Sequence, residues 1–360
     1  MTVRTRQHQR GRPIGAVTRL LLPILLAMSV TALFAMVWQS VGEQSDFADL
    51  ERDGVRYIQA LGPLEIALTN AGSAAVTGTP APVEDLTRAV DAVAAVDREL
   101  GERLSTQDRW AGLRAKIEAL PADAGKADTI AAYGTVNDLL LALMDKVRNS
   151  SKLVRDPDAD LYYLGDGAAQ ELPESIVAAT RYTNLLVSLP GLNAADRAST
   201  LIDISTAGSS LAGNARDLSD DVRLAVEGTG SESLGSALLS RLDRFNRAVD
   251  NLMPLMSGRD GAGSEQVVQR RDEMQAAAAD LSSALLTQID IGLQDRISSL
   301  DQRRLLASGI FLVSVLLALV PAGLALAARS RGARPPRPGP VAVPELESER
   351  ERWGRVSVPQ

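Results

Sequence analysis

The chain contains no cysteine and a single histidine, His8. Without thiols there is no disulfide, no thiolate nucleophile and no cysteine-bound metal; with the only imidazole near the start, the rest of the chain lacks the usual neutral-pH base and nitrogen ligand. Aromatic residues are scarce at 3 %, and no run of alternating β-branched residues marks a strand. No serine sits in a nucleophile elbow, no phosphate-cradling glycine loop follows a strand, and the many acids are scattered over helical patterns that single out no glycosidase-like pair. The expectation is of a non-enzyme, with no catalytic residue, no cofactor and no metal site.

What is present begins with two uncharged apolar stretches, Leu20 to Trp38 and Leu305 to Ala328. At ~1.5 Å per residue each is long enough to cross a ~30 Å hydrocarbon core as a helix. The first follows a basic segment, as a signal peptide does, but its apolar run exceeds the usual h-region and no small-x-small cleavage pattern closes it, so it reads as an uncleaved anchor. The head carries five Arg and no acid, and the segment from Arg329 carries seven Arg against four Glu. Taking these from the 38 basic and 45 acidic residues of the whole chain leaves 26 and 41 between the spans, a net charge of −15. Basic flanks stay in the cytoplasm, so the expected arrangement is a two-pass protein of the cell membrane with both termini cytoplasmic and the acidic middle exported. An acidic middle argues against a nucleic-acid partner, since such binding needs a basic footprint. The domain reading is a cytoplasmic head (1–19), a first transmembrane helix (20–38), an exported domain (39–304), a second transmembrane helix (305–328) and a Pro- and Arg-rich tail (329–360) expected to be disordered.

The exported part reads as all-α. Leu234, Leu238, Leu242, Phe245, Val249 and Leu252 recur at spacings of three and four, and Val267, Met274, Leu281 and Leu285 recur at heptad-like intervals running on into the second span. Tyr57, Leu61, Leu64 and Leu68 line one side of a helix that continues from the first span, with Gly62-Pro63 expected to kink it rather than end it. Breaker clusters at Gly78–Pro82, Leu120–Gly125, Leu189–Asn193, Glu227–Ser231 and Ser257–Gly263 divide the domain into six or seven helices. The fold expected is an elongated antiparallel helical bundle of the four-helix type, as one bundle or two stacked ones, flanked by the two transmembrane helices.

Asp156-Pro157-Asp158-Ala159-Asp160-Leu161-Tyr162-Tyr163-Leu164-Gly165-Asp166 is the most distinctive segment. It resembles the Asp-Pro-Asp-x-Asp-x-Tyr-Tyr-Leu-x-Asp segment in the all-helical exported sensor domains of bacterial transmembrane receptors, of the methyl-accepting chemotaxis receptor and sensor histidine kinase type. Glu51-x-x-Gly54-x-x-Tyr57, the stretch from Leu104 to Trp110 with Leu113 and Arg114, and Leu172-Pro173-Glu174 fit the same pattern, which spans most of Phe47 to Leu186. Leu161 and Gly165 depart from it, standing where the family has a serine and an apolar residue. The resemblance implies a sensor domain and a signalling relay; Arg329 to Gln360 is too short for a relay domain and an output domain, so a signalling partner is expected in trans. A parallel homodimer through Val41 to Val76 and Ser264 to Arg303 is expected because these helices extend the two spans, which the membrane already aligns.

Read as a local structure, the motif is a helix start, with Asp156 as N-cap, Pro157 at the first helical position, Asp158 and Asp160 in the first turn, and one ring of Tyr162 and Tyr163 buried with a bonded hydroxyl. Read as a site, the same carboxylates and rings form part of a small-ligand or cation site, although the spacing lacks the glycine and terminal glutamate of an EF-hand loop. Arg109, Arg114 and Arg181 are the candidate partners of an organic acid, through bidentate pairing. Two functions stand side by side: a signal-input module responding to a ligand or envelope state, and an envelope scaffold that keeps the receptor-like fold only to hold partners.

Overall fold

A computed structural model of the chain describes residues 14–121, 124–228, 232–256 and 263–332. The basic head before Ile14 and the tail after Gly332 lie outside the described residues. Within them the regular structure is helical, with no strand. In chain order the α-helices are α1 (Ile14–Thr77), α2 (Val83–Leu104), α3 (Gln107–Glu118), α4 (Lys126–Ser150), α5 (Ala159–Asp166), α6 (Leu172–Ser188), α7 (Ala194–Gly228), α8 (Glu232–Leu252) and α9 (Ser264–Gly332).

Each break read from a Pro- or Gly-rich cluster coincides with a helix end, and α1 runs through Gly62-Pro63 without ending. Asn193 shows why the chain restarts where it does: its Oδ1 accepts the backbone N–H groups of Ala195 and Asp196, both at 3.0 Å, satisfying two donors that the first turn of α7 leaves unpaired. Three interruptions carry no such signature. Between α2 and α3, Ser105 takes a left-handed conformation at φ 53°, its N–H donating to Glu102 O at 3.2 Å and the next N–H to Gly101 O at 2.9 Å. Between α4 and α5 lie Lys152, at φ 71°, a short 3₁₀ turn (Leu153–Arg155) and the Asp-Pro-Asp segment. Between α5 and α6 the chain does not stop but widens into a π-turn, Gly167–Glu171, in which the N–H of Leu172 reaches back to Gly167 O.

The chain divides into two compact units. The larger, Val37–Leu305, has one continuous apolar core. Tyr57, Leu61, Leu64 and Leu68 of α1 enter it, with Leu140 and Leu143 of α4, Leu211 and Leu218 of α7, Phe245 of α8, and Met274, Leu281 and Leu285 of α9. The side chains selected by spacing are buried wherever they are described, as an apolar stripe requires, and Leu234 lies outside the described side chains. In this unit α1 and α9 run antiparallel: Arg271 pairs with Asn70, Gln275 with Thr69, Arg52 with Asp290 and Arg296 with Glu51. Gly54 permits the close approach of α1 to the end of α4, since a Cβ there would lie 2.3 Å from the Ser151 side chain. Leu161, at the position where the resembling motif has a serine, packs on Gly292, where a Cβ would meet Leu161 Cδ2 at 2.7 Å.

The smaller unit joins the described residues up to Met36 with those from Leu306. Phe34 and Phe311 stack in it, ring centroids 4.3 Å apart. Among the described residues two helices are long and apolar enough to cross a membrane, with windows of mean hydropathy 1.9 and 2.0 that bury 6 % and 0 % of their residues. Leu25, Leu26, Met28, Leu33, Ile310, Leu312 and Leu317 are all exposed. A soluble core helix buries such residues; these have no protein to cover them.

Candidate functional site

The Asp-Pro-Asp segment opens a helix two residues later than expected, with Asp158 rather than Asp156 at the N-cap position of α5. Asp156 precedes α5 by three residues, Pro157 is outside the helix, and Asp158 occupies the position before Ala159, with only Asp160 in the first turn. Asp156 Oδ1 instead accepts the N–H of Asp158 at 2.8 Å, closing a local turn. The two aspartates turn toward α9, where Arg296 donates through Nη2 to Asp156 Oδ1 at 2.5 Å and to Asp158 Oδ2 at 2.6 Å. Through Nη1 the same guanidinium donates to Glu51 Oε2 of α1 at 2.9 Å. One arginine thus ties the motif to α1 and α9, bridging residues 138 to 245 positions apart in the chain.

Electrostatics make this tie self-sufficient. The side chains of Glu51 and Asp156 are fully buried, and one cation faces three carboxylates. Burial first, and the neighbouring Asp156 charge second, push the Glu51 carboxyl up to about 9 against the pull of Arg296. Glu51 Oε1 and Asp156 Oδ2 receive no hydrogen bond, yet the two carboxyl groups are close enough to bond to each other. A single proton held on Glu51 would serve both oxygens and leave one cation against two carboxylates, of which Asp158 is mostly exposed.

Asp160 lines a cavity of about 600 Å³ with Asp158 and Arg296, whereas the other sequence candidates do not converge on this place. Tyr162 and Tyr163 meet edge to face at 5.3 Å, and both are half-buried rather than one buried and one not. Arg109 donates to the carbonyl of Ala142 at 3.0 Å, and Arg114 pairs with Glu118 one turn along its own helix at 2.9 Å. Both are helix-surface charges. Arg181 is exposed and lines a cavity of about 740 Å³ with Tyr133, Asn137 and Asn184.

A second cavity, of about 780 Å³, is walled by α1, α2, α6 and α9, with contributions from Met144 and Ala168. Its lining is mostly apolar, including Ile58, Ile66, Leu172, Ile176 and Leu286. Into it comes Glu65, 2 % exposed, with Oε1 unpartnered, and burial holds its carboxyl well above the ordinary range. A neutral carboxyl in an apolar cavity both donates and accepts a hydrogen bond, which is the polar handle that small-molecule sites use for orientation. Nothing in the spacing of α1 marks Glu65, because its neighbours in the wall come from four other helices.

A third group lies at the π-turn. Asp166, Glu171 and Asp221 bring carboxylate oxygens within 4.8 Å of one another. Burial and then Asp166 push Glu171 up to about 8, and burial and then Asp166 push Asp221 up to about 6. Arg148 pairs with Asp166, and at 3.2 Å with Asp145 of its own helix.

No family model, no curated protein and no solved structure matches this chain.

Proposed function

We propose that the chain is a membrane-anchored, sensor-like protein whose large helical unit is exported and binds a small apolar molecule in the cavity around Glu65. The observation that carries this reading is a cavity of small-molecule size holding one buried, unpartnered carboxyl and walled partly by α1 and α9, the two helices that bear the apolar stretches. A ligand there bears on both helices at once, and a bias between two arrangements of such a pair is what a receptor needs to pass on. The Arg296 tie supports the reading by fastening α1 to α9 on the far side of Leu61 and Leu64 from the breaker at Gly78. On this proposal the basic ends are cytoplasmic, the large unit is an antiparallel helical bundle, two copies associate in parallel through α1 and α9, and the signal goes to a partner in trans. The exposed apolar windows and the Arg distribution support the membrane assignment.

The test is a thermal-shift screen of the full chain in detergent micelles against apolar metabolites carrying one hydroxyl, amide or amine, since a ligand bound only by the folded state raises its melting temperature. Glu65→Leu is expected to abolish the shift given by a hit while leaving the unliganded protein at least as stable. A hit whose shift survives Glu65→Leu places binding elsewhere, and a silent screen favours the scaffold reading. Protease added outside intact cells is expected to cut the large unit and spare the Arg-rich tail.

A further inference from the structure

We propose that Asp166, Glu171 and Asp221 bind a divalent cation of the hard, oxygen-preferring kind, with Ca²⁺ the best match. The proposal does not depend on the Glu65 cavity, and it runs against the expectation from spacing, which gave no metal site.

The first observation is convergence. Asp166 ends α5, Glu171 ends the π-turn, and Asp221 comes from α7, fifty residues further on. In a regular α-helix, residues five apart point about 140° away from each other around the axis. The i→i+5 bonding of Gly167–Glu171 removes most of that angle and stacks Glu171 close to Asp166 on the side that faces α7. The widened turn is thus what makes two of the three ligands neighbours.

The second observation is independent of the first. Glu171 is 6 % exposed, and its Oε2 has no hydrogen-bond partner. A buried carboxylate oxygen without a donor carries the full cost of its desolvation unless something positive sits beside it. Arg148 is a neighbouring cation, but its Nη1 and Nη2 are taken by Asp166 and Asp145, and its buried Nε has no hydrogen-bond partner. Tyr162 feels the Asp166 charge, and Asp217 and Asp220 lie around Asp221, so the remaining neighbours add negative charge or none. With all three ionised against one arginine, as an ion would hold them, the group lacks two positive charges.

A divalent ion closes that deficit. The set is carboxylate alone, with no nitrogen or sulfur, which selects hard cations over zinc or copper. Carboxylate oxygens from three separate segments, all within 4.8 Å of one another, suit the flexible shell of Ca²⁺ at ~2.3–2.6 Å better than Mg²⁺, which demands near-ideal octahedral geometry at ~2.0–2.1 Å. Three side chains give fewer than the 6–8 oxygens Ca²⁺ takes, so bidentate carboxylates and water complete the shell.

The full chain in detergent micelles, stripped with a chelator and titrated with Ca²⁺, is expected to show a saturable rise in melting temperature, larger than Mg²⁺ gives at the same concentration. Tb³⁺ in place of Ca²⁺ is expected to emit on tyrosine excitation, because Tyr162 is beside the site. Glu171→Gln and Asp221→Asn should each weaken Ca²⁺ binding at least tenfold. In chelator both should melt no lower than the parent, since each removes a carboxylate crowded by its neighbours, and this separates a lost site from a lost fold. Asp158→Asn, in the other carboxylate group, should bind as the parent does. A parent with no saturable Ca²⁺ shift overturns the proposal. So does undiminished affinity in Glu171→Gln and Asp221→Asn, or a loss of affinity in Asp158→Asn alone, which would move the ion to the Asp-Pro-Asp segment.

Discussion

Two groups in the large unit have the same ingredients, three carboxylates and one arginine, and opposite arrangements. In the first, Arg296 donates to Glu51, Asp156 and Asp158 together, and a proton on Glu51 accounts for the oxygens that remain. In the second, Arg148 serves Asp166 and its own helix neighbour Asp145, and leaves Glu171 Oε2 without a donor. Where the cation sits therefore decides the role. At the centre it makes a closed tie between distant segments; at the margin it leaves an oxygen-lined place with negative charge to spare.

The largest effect that separates the two follows from removing each arginine. Arg296→Met strips the shared cation from two fully buried carboxyl groups and is expected to cost about 3–5 kcal/mol of unfolding free energy, because a buried ion pair that loses one partner leaves an uncompensated charge. Arg148→Met removes a cation from Asp166, whose side chain is 21 % exposed, and about 1–2 kcal/mol is expected. Denaturant unfolding of the full chain in micelles, followed by circular dichroism, measures both; equal losses would mean that the two arginines do the same job.

pH sharpens the contrast next. Glu51 is held up to about 9 from an ordinary 4.5, so the folded state keeps a proton that the unfolded state releases. Its stabilising contribution is full below about pH 4.5 and is lost progressively as pH rises toward 9. Glu51→Gln is expected to flatten that part of the stability profile and to gain about 1–2 kcal/mol at pH 8 relative to the parent, read from melting temperatures between pH 5 and 9. An unchanged slope would show that the shared proton resides elsewhere.

Within the tie, the two aspartates differ by position. Asp156 is buried and holds both the local turn and Arg296, so Asp156→Ala is expected to cost about 2–3 kcal/mol and Asp156→Asn less, because an amide oxygen still accepts from the Asp158 N–H. Asp158, with a side chain 58 % exposed, is expected to cost under about 1 kcal/mol as Asn. The smallest effect belongs to the helix-surface pair: Arg114→Ala should change stability by no more than about 0.5 kcal/mol, and a larger loss would give Arg114 a role that its Glu118 contact does not.

What was legible in the sequence was local. Five interruptions announce themselves by proline or glycine, and Tyr57, Leu68, Phe245 and Leu281 announce their burial by spacing. Ser105 does not, because its left-handed conformation rests on tertiary support: Thr106 Oγ1 and Tyr57 OH both donate to Asp97 Oδ1 at 2.8 Å, and all three residues are buried. The Asp-Pro-Asp segment was singled out by its residues and misread in its role, since Arg296 is 140 positions from Asp156 and no helical period links them. Glu65 and Asp221 were missed for the same reason: a buried acid looks like any surface acid until the helices around it are in place.

The widened turn at Gly167–Glu171 amounts to one residue more than an α-helix needs between Asp166 and Leu172. Loss of that residue would let the segment close into ordinary α-helix without turning the flanking helices, whereas tightening to α-helix with the residue retained would rotate everything after it by about 100°. In the tightened case Tyr182, whose hydroxyl donates to Met253 O at 2.7 Å, would swing off its partner, and Leu172 and Ile176 would leave the wall they share with Glu65. The turn thus takes up one residue without turning α6 away from its partners, and a change that drives it toward ordinary α-helix at constant length acts on contacts far along α6.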